Sequence, residues 1–259
     1  MKFSIITCTY NSANYIQKNI DSIKNQTFQN FEHIFVDGFS SDKTVEIIKD
    51  YQRQFPGKIF LYQAEAKGIS NAMNEGIKKT TGDYLIHLHA DDSFFDKEVL
   101  NDINFFLSDK EMDWIYGKIK VVEENENSIG TFPNHKIFQN NNKNLFAKYL
   151  LKFYNYIPHQ AVFIKKDVFE KFGYFDETIK SAMDHDVWLK IRNKTSWSFY
   201  DRIISNYTIR SGSQSSGLKR KLENDSYYSL VQRKYLKLFE LPLAKIVNFI
   251  IDKRNRNYR

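Results

Sequence analysis

The sequence predicts an α/β fold: a mostly parallel sheet flanked by helices, continued by an α+β stretch and a helical C-terminal tail. Three observations carry this expectation. Through the first 120 residues, short apolar runs alternate with segments whose apolar residues recur at helical spacing. The connections are short, and with right-handed crossovers this makes neighbouring strands parallel. Polar clusters fall just past the carboxyl end of each apolar run, where sheets of this kind bind ligands.

Phe3 to Thr9 is an apolar run of strand length. Ile16, Ile20 and Ile23 follow at the spacing of one helix face, with Asn14 or Ser12 placed to cap it. His33 to Val36 is a second strand. In the DGFSSD that follows, Gly38 permits a tight turn and Ser41 or Asp42 caps a helix carrying Val45, Ile48 and Tyr51, which Pro56-Gly57 ends. Lys58 to Tyr62 reads as a third strand, Ile69, Met73 and Ile77 as a third helix face, and Tyr84 to Leu88 as a fourth strand. Val99, Ile103 and Phe106 mark another helix and Trp114 to Val122 another strand. Regular alternation then stops at a polar stretch and an Asn-rich loop, resuming with HQAVFIKKDVFEKFGYFDE. We therefore divide the chain into residues 1–120, an α+β extension of the same core over 121–217, and a helical basic tail over 218–259. In the tail, Tyr227, Leu230, Val231, Tyr235 and Leu238 share one side, and the apolar stretch Leu243 to Ile251 abuts Lys253, Arg254, Arg256 and Arg259.

Composition narrows the function. The 259 residues hold 42% apolar side chains, enough for a sizeable core. Lys and Arg number 38 against 31 Asp and Glu, and much of the +7 excess lies in the last forty residues, leaving the body near neutral. Such a tail suits an anionic surface, and its bland alternatives are a solvated helix face or a homodimer contact. A nucleic-acid partner is not expected, because no basic face is joined to a recognition motif or stacking platform. The single cysteine, Cys8, allows neither a disulfide nor a thiolate cluster, as in a reducing cytoplasm. Met1 to Ile6 begins a strand with no signal-peptide pattern, and no window reaches the 18 or so apolar residues of a membrane span. The expectation is a cytoplasmic protein, peripheral on a membrane at most.

The polar clusters supply the candidate chemistry. Thr9 follows the first strand, Asp37 the second, Glu65 to Lys67 the third and Asp91-Asp92 the fourth, so separate loops converge on one rim. Asp91 and Asp92 are either helix caps or hard oxygen ligands for Mg²⁺ or Mn²⁺, ions that take one or two protein carboxylates and complete their shell with water and phosphate. No lysine or arginine stands near them in sequence to neutralise them. Asp37 is a strand-to-helix turn residue or an acceptor for a base N–H or ribose hydroxyl. Lys67, before Gly68, is a surface lysine or reaches a phosphate at a helix N-terminus. In SAMDHDVWLKI, Asp186 suits a first-turn charge, and Asp184 is the better candidate to take a proton from an attacking hydroxyl. His159 and His185 are alternatives. SGSQSS, residues 211–216 with Ser213, is a lid or a linker.

These motifs, in this order, resemble the family 2 glycosyltransferases, whose Rossmann-like fold is called GT-A. SIITCTYNSANYIQKNIDSIKNQTF is similar to the family's first strand and helix, and VDGFSSDKTVEII to its second-strand motif. GISNAMNEGIKKTTGDYLIHLHADD resembles the helix, turn and metal strand, and HQAVFIKKDVFEKFGYFDETIKSAMDHDVWLKI the acceptor half. The resemblance, from Ile5 to about Ser215, is nearest the branch that builds bacterial surface polysaccharides, O-antigen or capsule. It implies an inverting transfer from a nucleotide sugar, commonly UDP-linked, to a saccharide hydroxyl, with a lipid-diphosphate-linked saccharide as the expected acceptor. By position, Thr9, Asp37, Lys67, His89, Asp91 and Asp92 line the donor, Asp91 holds Mn²⁺ or Mg²⁺, and Asp184 is the base. His159, Asp186 and Ser213 fall to the acceptor or lid. The donor then belongs to residues 1–120 and the acceptor to 121–217.

The sequence departs from the family pattern at three places. His89 stands where the metal motif would have an acid, Met183 stands beside Asp184 where relatives often carry a second acid, and Glu65-Ala66-Lys67 lacks the aspartate many relatives place before the glycine. A nucleotidyltransferase on a related sheet is the alternative, but TCTYNSANY has no glycine-rich phosphate loop.

Overall fold

The computed structural model describes residues 1–139, 141, 143–210, 230–244 and 246–247. Ser213, Tyr227, the residues 211–216 read as a lid, and the basic cluster from Lys253 lie outside the described residues.

Three βα steps and a fourth strand open the chain: β1 (Phe3–Thr9), α1 (Ile16–Lys24), β2 (Phe31–Asp37), α2 (Thr44–Gln54), β3 (Ile59–Gln63), α3 (Ile69–Lys79) and β4 (Tyr84–His87). Then come β5 (Ser93–Phe94), α4 (Val99–Ser108), β6 (Trp114–Glu123), β7 (Ser128–Phe132), α5 (Leu145–Leu150), β8 (Val162–Ile164), α6 (Lys166–Phe172), α7 (Met183–Ile191) and β9 (Trp197–Ile209). One sheet runs β3-β2-β1-β4-β8-β6-β9-β5, with β7 paired to β6. The first four strands are parallel, as their short crossovers require. Beyond β4 the sheet is mixed: β8 is antiparallel to β4 and β6, whereas β9 is parallel to β6.

Alternation along the strands divides the core between the two sheet faces. Tyr84, Ile86 and Leu88 enter one apolar cluster with Phe3, Ile5 and Ile115, while Leu85 joins the other with Ile6, Trp114 and Tyr116. The second cluster is anchored by Trp114, whose ring stacks on Trp188 at 5.4 Å and on Trp197 at 5.0 Å. That stack ties β6 and β9 to α7 and so fixes the helix that carries Asp184. On the same face α3 lies close over β1, and a Cβ on Gly76 would collide with the Ile6 side chain.

The turn before β4 is held by a buried carboxylate. Glu32 accepts from Lys2 Nζ at 2.7 Å, Ser4 Oγ at 2.6 Å, and both the N–H (2.6 Å) and hydroxyl (2.7 Å) of Thr81. Burial alone would raise its pKa, but these donors together bring it below the ordinary glutamate value.

Local caps differ in part from expectation. Neither Asn14 nor Ser12 caps α1 with its side chain; the Ser12 carbonyl takes the Tyr15 and Ile16 N–H groups instead. Asp42 accepts from Thr44 N–H at 2.9 Å and from Ala13 N–H at 3.0 Å, joining the starts of two helices. In the tail, the helical residues 230–235 do not present the expected apolar side. Val231 is buried, but Leu230 and Leu238 are 54% and 84% exposed. The contact face is set by polar groups: Gln232 donates to Phe153 O at 2.8 Å, while Lys234 and the Tyr235 hydroxyl reach Asp186 at 2.8 and 2.9 Å.

Candidate active site

The carboxyl ends of β1, β2 and β4 place three polar clusters side by side. Asp37 closes β2 and is fully buried. Its Oδ1 accepts from the Thr9 hydroxyl at 2.9 Å and the Ser40 hydroxyl at 2.5 Å, and its Oδ2 from Ser40 N–H at 2.9 Å and Gln63 Nε2 at 3.4 Å. The carboxylate therefore already has four protein donors. The left-handed residue of this turn is Phe39 (φ 60°). Gly38 serves close approach instead: a Cβ there would lie 3.2 Å from the Tyr10 ring and 3.3 Å from Ala66 Cβ. Tyr10 and Phe39 are 62% and 57% exposed, leaving two aromatic faces beside Asp37. Lys67 is mostly exposed and pairs with Glu65 at 3.3 Å.

The loop after β4 holds His89, Asp91 and Asp92. Asn19 of α1 pins its backbone, donating to His89 O at 2.9 Å and Asp92 O at 3.1 Å. The neutralising cation missing from the local sequence is supplied by Arg210, 119 residues away, whose Nε meets Asp91 Oδ2 at 2.7 Å. Its guanidinium also lies 4.2 Å over the Tyr15 ring. Asp92 is different. Burial, then the neighbouring Asp91 charge, push its pKa well above the usual carboxylate range, and it is only 2% exposed. It faces inward and accepts from Thr208 N–H at 3.4 Å.

His89 points the other way and joins this loop to His159 and Asp184 in the second half of the chain. His89 Nε2 lies 2.9 Å from His159 Nε2, and His159 Nδ1 lies 3.6 Å from Asp184 Oδ2. Asp184, in the first turn of α7, also accepts from Asn155 Nδ2 at 3.0 Å and from His185 N–H at 2.8 Å. Ala182, the residue preceding α7, adopts a left-handed φ of 61°, a strained conformation of the kind that gathers at functional sites. Burial would raise the Asp184 pKa, but the hydrogen bond and charge of His159, with His185 and Asn155, bring it below the ordinary value. Burial, and then His159, lower His89 to about 4. At neutral pH the arrangement is a carboxylate, a bridging imidazole and a neutral imidazole.

Two histidines and one aspartate turn inward instead. His185 Nε2 donates to Leu151 O at 2.6 Å. His87, stacked edge-on against Phe175, is lowered to about 3 chiefly by burial. Asp186 is fully buried among Lys234, Tyr235 and Lys190, and through the first two it binds the tail to α7.

Sequence reading missed Asn19, Arg210, Asn155, Tyr10 and Phe39. Asn19 left a signal, since it is a polar residue on the buried Ile16–Ile20–Ile23 stripe. Arg210 left none, because its partnership exists only through the pairing of β9 with β6 and β5.

The donor set can be tested against the expected metal. Among the described residues no group of three or more His, Cys, Asp or Glu side chains is placed to hold an ion by itself. One accessible carboxylate, Asp91, nonetheless fits a cation that is shared with phosphate oxygens and water, whereas the buried Asp92 does not.

The fold has known relatives. TarS of S. aureus, solved for residues 1–349 with UDP-GlcNAc, superposes with a TM-score of 0.71 at 24% identity, covering 89% of this chain and 65% of that one. The mannosyltransferase PcManGT of Pyrobaculum calidifontis, solved with GDP-Man and Mn²⁺, gives 0.66 at 15% identity, covering 91% and 65%. This chain thus spans just under two thirds of either structure. In sequence it is 26% identical to an uncharacterized glycosyltransferase of Methanocaldococcus jannaschii over 88% of this chain and 77% of that protein. It is 28% identical to a PGL/p-HBAD biosynthesis glycosyltransferase of Mycobacterium bovis over 79% and 70%. Residues 4–172, well over half of the chain, match the family described as Glycosyl transferase family 2, and the chain belongs to that family.

Proposed function

We propose that the protein transfers a sugar, with inversion, from a nucleotide sugar to a hydroxyl of a saccharide acceptor in surface-polysaccharide assembly. The observation that carries this reading is the chain from His89 through His159 to Asp184, which links the loop bearing Asp91 to the one carboxylate suited to be the base. The donor lies along the ends of β1, β2 and β4 and the acceptor beside α7. In the displacement, the acceptor oxygen bonds to the anomeric carbon as the bond to the diphosphate oxygen breaks, and the acceptor proton passes to Asp184. Asn155 and His159 keep Asp184 ionised for that purpose.

On the donor side, Tyr10 and Phe39 offer faces to the base. Asp37 reaches the nucleoside only if the Gln63 bond, the longest of its four, yields. Asp91 would hold the cation; when bound, Mn²⁺ or Mg²⁺ supplies positive charge to the departing diphosphate. Arg210, whose Nε holds Asp91 Oδ2, stands beside that carboxylate and can lend its charge to the same diphosphate.

The reading is tested by incubating the protein with UDP-, GDP- and TDP-linked sugars, each with and without Mn²⁺, and following melting temperature and nucleotide release. Stabilisation by one nucleotide class, with release of its diphosphate on adding a saccharide, is expected. Indifference to every nucleotide sugar would overturn it.

A further inference from the structure

The largest concentration of exposed apolar side chains among the described residues lies on two segments. Leu145, Phe146 and Tyr149 are exposed on α5, and Leu238, Phe239, Leu243 and Ile246 on the C-terminal segment; these are seven of the thirteen large apolar residues exposed among those described. Phe239, Leu243 and Ile246 follow helical spacing, while Glu240 and Ala244 turn inward and are buried. The two segments are joined. Lys152 Nζ bonds both oxygens of Glu240 at 2.8 Å and lies 5.5 Å over the Tyr149 ring, and Tyr149 bonds the same carboxylate.

Charge selects the occupant. Residues 143–152 and 230–244 contain six cations against one acid, the buried Glu240; Lys152 is paired with Glu240 and Lys234 with Asp186, which leaves Lys143, Lys148, Arg233 and Lys237 for the rim. Apolar and aromatic side chains rimmed by lysines match the boundary between headgroups and acyl chains of an anionic bilayer. A second copy of the chain is disfavoured, because a two-fold contact would set one basic rim against another. Lys234 and Tyr235 fasten this segment to Asp186, in the same helix as Asp184. We infer that α5 and the C-terminal segment form a docking surface for an anionic lipid interface, which brings a lipid-linked acceptor to α7. The purpose assigned to the surface rests on the proposed transfer reaction, but its affinity for lipid does not.

The test is flotation of the full chain with vesicles of phosphatidylcholine and phosphatidylglycerol, against phosphatidylcholine alone. Binding is expected only with the anionic lipid and is expected to weaken with salt. The triple substitution Phe146→Ser, Phe239→Ser, Leu243→Ser, all at exposed positions, should reduce binding by about tenfold or more, with melting temperature and nucleotide binding unchanged. Absence of flotation, or equal flotation by the variant, would overturn the inference. So would a dimer in sedimentation that the same substitutions dissolve, since the face would then belong to a second copy. Transfer to a soluble acceptor without vesicle binding refutes the docking alone, and vesicle binding without transfer refutes the reaction alone.

Discussion

Asp184 and Asp186 sit two residues apart at the start of α7, yet their surroundings assign them opposite work. Asp184 is partly open and shares its oxygens with Asn155, His185 N–H and His159; Asp186 is sealed beneath the tail. Asp184→Asn should therefore lower the transfer rate by about 10²- to 10⁴-fold while nucleoside diphosphate still binds, as read by calorimetry; joint loss of both would make Asp184 structural. His159 acts on the same carboxylate from outside the reacting atoms. Because it lowers the Asp184 pKa, its removal should let that pKa rise. The acid limb of kcat/KM in His159→Ala then moves to higher pH, with donor KM little changed. An unmoved limb would show that His159 does not bear on the base. The sequence offered Asp184 by its place in a motif, but the bridge through His159 to His89 was not legible, since it depends on two loops 70 residues apart.

At the scale of elements, β1 to β4 and their helices were readable because each follows a simple period, and their bounds fall within about two residues of the apolar runs. The second half was not, since β8, β6 and β9 pair across long separations and β8 has only three residues. β9 had a usable signal: thirteen residues, WSFYDRIISNYTI, rich in aromatic and β-branched types. One link between β1, β2 and β4 deserves a measurement, the Glu32 carboxylate. Its folded pKa is lowered, so its stabilisation is complete above the ordinary glutamate value of about 4.3 and disappears as pH falls through the lower folded value. Glu32→Ala leaves Ser4 and Thr81 without their acceptor and should cost about 3 kcal/mol at pH 7. In urea titrations the gap from wild type should narrow below about pH 4, and a gap independent of pH would deny the carboxylate its role.

At the scale of the whole molecule, the tail is fastened to α7 by a buried charge, alongside its Gln232 and Glu240 bonds to Phe153 and Lys152. Asp186 receives Lys234 at 2.8 Å and Tyr235 at 2.9 Å, with Lys190 at 3.7 Å. Such a group contributes only while its partners remain, because a buried charge left alone carries its full desolvation cost. The sequence placed Asp186 in a first helical turn but could not show that the tail returns to it, 48 residues later. Asp186→Asn removes the charge and leaves Lys190 and Lys234 facing a neutral amide. We expect a loss of about 3 kcal/mol, a melting temperature lower by roughly 6 to 12 °C. At a temperature where the variant is folded, its rate on a soluble acceptor should stay within a few-fold of wild type. Asp184→Asn should show the reverse, an intact melting temperature with transfer lost. If instead Asp186→Asn is stable and inactive, then the tail is not held by this carboxylate, and Asp186 belongs with the acceptor after all.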